Sequence, residues 1–321
     1  MPFQILSLSG GGYLGYYTAA VLDELEAMSK APLARCFDLM AGTSVGGIIA
    51  LCLSCEIPMA RIRAAFEEHG TRIFSDRPKS TGIAHVLGDL ARSALAPRND
   101  DKALRSVVTE LLGKSTRLGD LKHRALISSV DLTSGAAHGF ASWDPANRSV
   151  RVVDVAMATS AVPTFFPMVR IGKRLYADGG LFANAPDLLA LDAAQFELGV
   201  AARRIRLLSV GTASASFSLP RARETLGALD WFTDEHLMRI SMAAQQTSVV
   251  EMLQRRLGDR YLRVDRDQSP AEQQVLGLNV ATPEATRRLG AMARKSVSRI
   301  RNDARLKRML RHQAPRRAAG L

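Results

Sequence analysis

The chain has 321 residues, 47% hydrophobic and 23% charged, a balance that excludes a disordered or fibrous chain and suits a globular protein with a large core. Three cysteines (Cys36, Cys52, Cys55) exclude a disulfide framework and point to a reducing compartment, and no apolar run is long enough to cross a bilayer. The formal charge of +12 is concentrated in residues 287–321, where twelve Lys and Arg face one acid, Asp303; the rest of the chain holds 31 basic and 30 acidic residues.

The opening Met1-Pro2-Phe3-Gln4 has no basic segment of the kind that begins a signal peptide, and it runs straight into a strand over Gln4–Ser9. Gly10-Gly11-Gly12 ends that strand. Helical spacing follows over Tyr13–Met28, with Ala19, Val21, Leu22 and Leu25 on the apolar face. A second strand is expected over Phe37–Ala41, a second helix over Val45–Leu53 and a third over Pro58–Gly70. Cys52 and Cys55 form a C-x-x-C within the second helical pattern, without a second ligand pair, and read as buried thiols. Ser75–Asp101, with prolines at 78 and 97, reads as a cover or lid.

A helix is expected over Asp101–Leu112, a strand over Ala125–Val130, a turn over Asp131–Gly135 and a strand near His138–Ser142. Val152–Ala158 starts a helix that Pro163 and Pro167 end. Arg174–Ala177 leads into Asp178-Gly179-Gly180, Pro186–Phe196 reads as a helix, and Ile205–Val210 is a strong late strand. From Leu226 onward the pattern is mainly helical, with Thr282 as N-cap and Pro283 in the first turn of a basic helix. Strand–helix alternation implies a mainly parallel sheet covered on both faces. The expected organisation is a catalytic domain over 1–225 and a helical extension over 226–321 packed on it, ending in a basic tail.

Three glycine-rich turns follow three apolar strands, and turns at strand carboxyl ends converge at one sheet edge. The first, Gly10–Gly15, presents backbone N–H groups without side chains in the way, as an oxyanion hole needs; losing one such donor typically costs ~10²–10³ in rate. The second reads Gly42-Thr43-Ser44-Val45-Gly46, a Gly-x-Ser-x-Gly elbow that exposes a nucleophilic hydroxyl above a helix amino terminus. Asp178, held by Gly179 and Gly180, is the acid in the third. Each has a plainer reading. Gly10-x-Gly12-x-x-Gly15 also fits a dinucleotide loop, which would make the chain a non-catalytic nucleotide-binding module. However, the acid expected at the end of the second strand is replaced by Gly42-Thr43-Ser44. Asp178 fits a turn cap, and Gly42–Gly46 a packing turn. A Ser–Asp–His triad in this chain order would need His236 or His312, one in a helical pattern and the other in the basic tail.

The ordered set resembles the patatin-like phospholipase family. It comprises Gly10-Gly11-Gly12-x-x-Gly15, Gly42-Thr43-Ser44-x-Gly46-Gly47, the run Ala158–Pro167, Asp178-Gly179-Gly180 with Asn184 and Pro186, and Leu208–Thr212. The resemblance covers about residues 3–215. It implies a three-layer α/β/α fold and a Ser44–Asp178 dyad in place of a triad. It also implies an oxyanion hole from the Gly10, Gly11 and Gly12 N–H groups, no cofactor or metal for catalysis, and membrane phospholipids as substrate. Gly15, Gly42, Gly46, Gly179 and Gly180 support these turns. One departure is Leu14, where the family usually carries a basic residue.

Phe3–Tyr13 and Phe66-Glu67-Glu68-His69-Gly70 are most similar to the cyclic-dinucleotide-activated phospholipases of bacterial anti-phage (CBASS) systems. That similarity implies a cyclic dinucleotide such as cyclic GMP–AMP as activator, with residues 75–101 and 226–310 as candidate regions for its pocket. It also implies a cytoplasmic protein peripheral on the inner face of the membrane when active; oligomeric state stays open, a homo-oligomer on activation being one outcome. The basic residues 287–317 suit a solvated helix or an anionic membrane surface; nucleic acid is not expected, because aromatics and a recognisable binding module are missing.

Overall fold

The structure, a computed structural model, describes residues 2–29, 31–75, 101–214 and 236–316. The segment expected to form a lid lies almost wholly outside these residues. Five strands run parallel: β1 (Phe3–Leu8), β2 (Leu39–Gly42), β3 (Arg124–Asp131), β7 (Ile205–Val210) and β8 (Tyr261–Val264). Three are antiparallel to their neighbours: β4 (Ala136–Ala141), β5 (Val169–Ile171) and β6 (Arg174–Asp178). The order is β5-β6-β3-β2-β1-β7-β8, with β4 paired to β3 off this path.

Period-two alternation divides the core. Leu6, Leu8, Met40, Leu208 and Val210 face one helical layer; Ile5, Leu39, Ala41, Leu126 and Leu207 face the other. The first layer contains α1 (Gly15–Ser29), α2 (Val45–Ser54), α3 (Met59–Ile73), α4 (Asp101–Leu112) and α5 (Val152–Thr159). The short α6 (Gly180–Ala183) follows β6; the second layer is α7 (Asp187–Asp192) and α8 (His236–Leu257). After α9 (Pro270–Val275), α10 (Pro283–Ile300) and α11 (Ala304–Leu310) return to the first layer, α10 lying along α1. This is the three-layer α/β/α fold. Among the described residues no helix is long and apolar enough to cross a membrane.

Two strands depart from the sequence reading. β8 lies in the region read as mainly helical; its four residues, Tyr-Leu-Arg-Val, are too few to show a period, and they carry an arginine. Arg263 is accommodated because its guanidinium donates to Ser209 Oγ (2.6 Å), Ser9 Oγ (3.1 Å) and Asp265 Oδ2 (2.6 Å). β5 is a three-residue edge strand beyond Pro167. The helix expected from Tyr13 starts only at Gly15, after a 3₁₀ turn over Gly12–Leu14. Thr282 caps α10 as expected, its hydroxyl accepting the Ala285 N–H at 3.1 Å.

The basic end of the chain runs from the carboxyl edge of the sheet to its amino edge. Near the start of α10, Thr286 meets the Tyr13 hydroxyl at 2.6 Å, beside the first glycine turn. At the other end, Gln4 Nε2 donates to the Met309 carbonyl (2.9 Å) and His312 Nε2 lies 2.8 Å from Asp38 Oδ2, at the starts of β1 and β2. Arg316 pairs with Glu56, which also accepts from Arg35 (2.9 Å) and His123 (3.2 Å). Burial pushes the Glu56 carboxyl up, but these three partners together hold it at about 2.

Candidate active site

Ser44 stands between β2 and α2 at φ 54°, ψ −127°, a left-handed backbone that a side-chain-bearing residue occupies only under constraint. The turn closes because its neighbours have no Cβ. At Gly42 one would strike the Gly46 backbone, and at Gly46 one would strike the Leu8 carbonyl. Two hydroxyls lock the elbow. Thr159, at the end of α5, accepts the Ser44 N–H (2.9 Å) and donates to the Ser128 carbonyl (2.6 Å). Thr43 Oγ1 donates to the Ala183 carbonyl (2.6 Å), so Ser128 Oγ, also 2.6 Å away, donates to Thr43. The positive end of the α2 dipole lies directly beneath Ser44.

Asp178 ends β6, in register with Ser129 of β3. Its N–H donates to the Ala161 carbonyl at 3.0 Å, so Thr159 and Ala161, two residues apart, hold the backbones of Ser44 and Asp178 together. The carboxylate is buried. Oδ1 accepts the Gly180 N–H at 2.6 Å; Oδ2 has no hydrogen bond of ordinary geometry among the described residues. Burial pushes the carboxyl up to about 7, against the opposing pull of the Gly180 N–H and the Ser44 hydroxyl that it faces. A carboxylate near neutrality, unpartnered on one oxygen and turned to a serine, is equipped to accept that serine's proton.

The first glycine turn lies against the same elbow: a Cβ at Gly10 would be 3.3 Å from the Ser44 Cβ. The Gly10 N–H does not point into the site, because it donates to the Asn184 carbonyl at 2.9 Å. This corrects the three-donor oxyanion hole. The Gly11 and Gly12 N–H groups have no acceptor among the described residues, and both glycines line the cleft that holds Ser44 and Asp178. Gly12 takes φ 54° with the Leu278 carbonyl packed against it, and that carbonyl accepts the Tyr13 N–H at 2.8 Å. The loop is thus part of the Ser44 cleft, which removes the ground for a separate nucleotide-binding module.

His312 does not complete a triad. His312 is bound to Asp38 before β2, whereas Ser44 follows that strand, so the sheet separates them. The backbone at His236 begins α8. The walls of the cleft are apolar: Phe74, Val162, Phe165, Phe166, Leu181, Leu278, Met238 and Met242. Val162, Phe165 and Phe166 belong to the quoted run Ala158–Pro167; Phe74, Leu278, Met238 and Met242 come from segments that the motif reading did not join to it. Thr159 lies inside the quoted run Ala158–Pro167, but nothing in the sequence marks it as the acceptor of the Ser44 N–H. The methionines of α8 had no signal beyond a helical pattern.

Residues 6–191 match the family described as patatin-like phospholipase. A cGAMP-activated phospholipase of Pseudomonas aeruginosa is 36% identical, over 97% of this chain and 93% of its own length. A cGAMP-activated phospholipase of Vibrio cholerae is 32% identical over 78% of this chain and 77% of its own. A cUMP-AMP-activated phospholipase of Escherichia coli is 32% identical over 65% of this chain and 64% of its own.

Proposed function

The chain belongs to the patatin-like phospholipase family, and from that premise we propose that Ser44 and Asp178 are the catalytic dyad of a phospholipase A-type hydrolase switched on by a cyclic dinucleotide. The observation that carries the dyad is the buried Asp178 carboxylate, raised to about 7 and facing Ser44. Asp178 takes the Ser44 proton as Oγ attacks the acyl carbonyl, and the Gly11 and Gly12 N–H groups receive the developing oxyanion. Collapse releases the lysophospholipid, whose oxygen takes the proton back from Asp178. Water then attacks the acyl-enzyme with Asp178 again as base, freeing the fatty acid and restoring Ser44.

The names of the relatives support activation by cGAMP or cUMP-AMP; action on the inner face of the membrane in anti-phage signalling is the expectation that the family resemblance adds to it. The test is hydrolysis of phospholipid with and without a panel of cyclic dinucleotides, run beside labelling by a fluorophosphonate probe. Labelling that appears on activation, vanishes in Ser44→Ala and is lost in Asp178→Ala supports the dyad. Full activity in Asp178→Ala, or loss in His236→Ala instead, refutes it.

A further inference from the structure

A lipid substrate must be met by the mouth of the cleft, so the surface around that mouth decides how the molecule sits on a membrane. This inference rests on the phospholipase reading. Among the described residues five large hydrophobic side chains stand exposed: Leu132, Met168, Leu181, Phe196 and Leu237. Single exposed hydrophobics are ordinary; the grouping of three of them is not. Leu181, 42% exposed, lines the cleft directly. Leu237, 50% exposed, precedes the cleft-lining Met238 at the start of α8. Met168, 57% exposed, precedes β5; the pairing of Val169 with Tyr176 sets it level with Ala177, one residue before Asp178. An edge strand, a short helix and a long helix thus each bring an apolar side chain to one rim, continuous with the apolar wall inside.

The exposed basic residues of α11 are elsewhere. Lys307, Arg308 and Arg311 belong to the segment bound to Gln4 and Asp38 at the starts of the strands. A six-residue β1 at ~3.3 Å per residue puts that edge about 20 Å from the mouth. Charges are screened over about 8 Å at physiological ionic strength. A bilayer that delivers an ester to Ser44 is therefore out of reach of this cluster.

We propose that the Met168–Leu181–Leu237 rim is the surface that enters a phospholipid bilayer, with the basic cluster of Lys307, Arg308 and Arg311 turned away from it. The occupant is a bilayer because the rim opens onto the site whose substrate lies there. Co-sedimentation with phosphatidylethanolamine–phosphatidylglycerol vesicles, in the presence of cGAMP, tests this without relying on turnover. Met168→Asp with Leu237→Asp lowers the vesicle-bound fraction at least ten-fold. Hydrolysis of vesicle lipid falls in parallel, and hydrolysis of a soluble short-chain ester stays at the parental rate. Lys307→Glu with Arg308→Glu and Arg311→Glu binds as the parent does. The proposal is overturned by a parent that does not bind vesicles, a rim variant that still does, or a basic-face variant that no longer does. A rim variant that changes from dimer to monomer while binding vesicles normally assigns the rim to a second copy and also overturns it. Failure of every hydrolysis assay would count against the dyad and leave the sedimentation result to decide the rim.

Discussion

At Asp178 stability and activity pull in opposite directions. A carboxyl raised from 3.8 to about 7 on folding holds its full stabilising value below the unfolded pKa and loses it as pH rises through about 7, where the native state must keep a desolvated carboxylate. Asp178→Asn removes that penalty. It is expected to be inactive and, at pH 8, more stable than the parent by up to about 4 kcal/mol, the free energy of some three pKa units; urea titration from pH 4 to pH 8 checks this, the difference growing across that range and levelling off above about 7. Hydrolysis by the parent rises with pH through about 7, as the base deprotonates. Thr159 offers a second test. Thr159→Val strands the buried Ser44 N–H, at a cost of about 1–3 kcal/mol, and is expected to slow fluorophosphonate labelling roughly ten- to hundred-fold while Thr159→Ser labels normally. Ser44 and Asp178 were legible in sequence because small neighbours announce their turns. The loss of Gly10 as a donor was not, since it depends on a carbonyl 174 positions later in the chain, that of Asn184.

Among the elements, the carboxyl-terminal helices are the ones whose role changes most between sequence and structure. The stretch 287–316 looks like a solvated basic tail, yet Leu289, Met292, Val297, Leu306 and Met309 are buried in the main core. The apolar stripe reads as incomplete because the partners of α10 and α11 are α1 and the amino edge of the sheet, which sequence spacing does not reveal. Removing residues 299–321 would therefore open the core as well as subtract charge. Glu56 is the cleaner handle on this segment: its carboxylate gathers Arg316, Arg35 and His123. Its folded pKa of about 2 lies below the unfolded value, so its contribution is present above about pH 4.5 and is lost as pH falls through about 2. Glu56→Gln is expected to cost about 1–3 kcal/mol at pH 7, as for a hydrogen-bonded charge that is removed. In urea melts that difference shrinks towards pH 2, and limited proteolysis at pH 7 shows faster trimming of the carboxyl terminus.

For the molecule as a whole, the alternating pattern disclosed the three layers, because strands buried on both faces and amphipathic helices each leave a period. Strands too short for a period, β5 and β8, stayed hidden, and so did the partners that complete the cleft around Phe166 of the quoted run, residues as distant as Phe74 and Met242. One bond has a consequence for how such an enzyme is switched. The Asn184 carbonyl holds the Gly10 N–H, and Asn184 lies six residues beyond Asp178, across α6. α8 touches the same stretch, Gln245 donating to the Leu181 carbonyl (3.1 Å) and Gln246 Oε1 accepting from Asn184 Nδ2 (3.4 Å). The base and the oxyanion loop therefore cannot be displaced separately by a shift of α8. An activator acting through that helix would recruit molecules into the working population and leave the turnover of each recruited molecule unchanged. Active-site titration with a fluorophosphonate across activator concentrations is expected to show the titratable fraction climbing in step with the rate; a fixed fraction with rising turnover per site would contradict it.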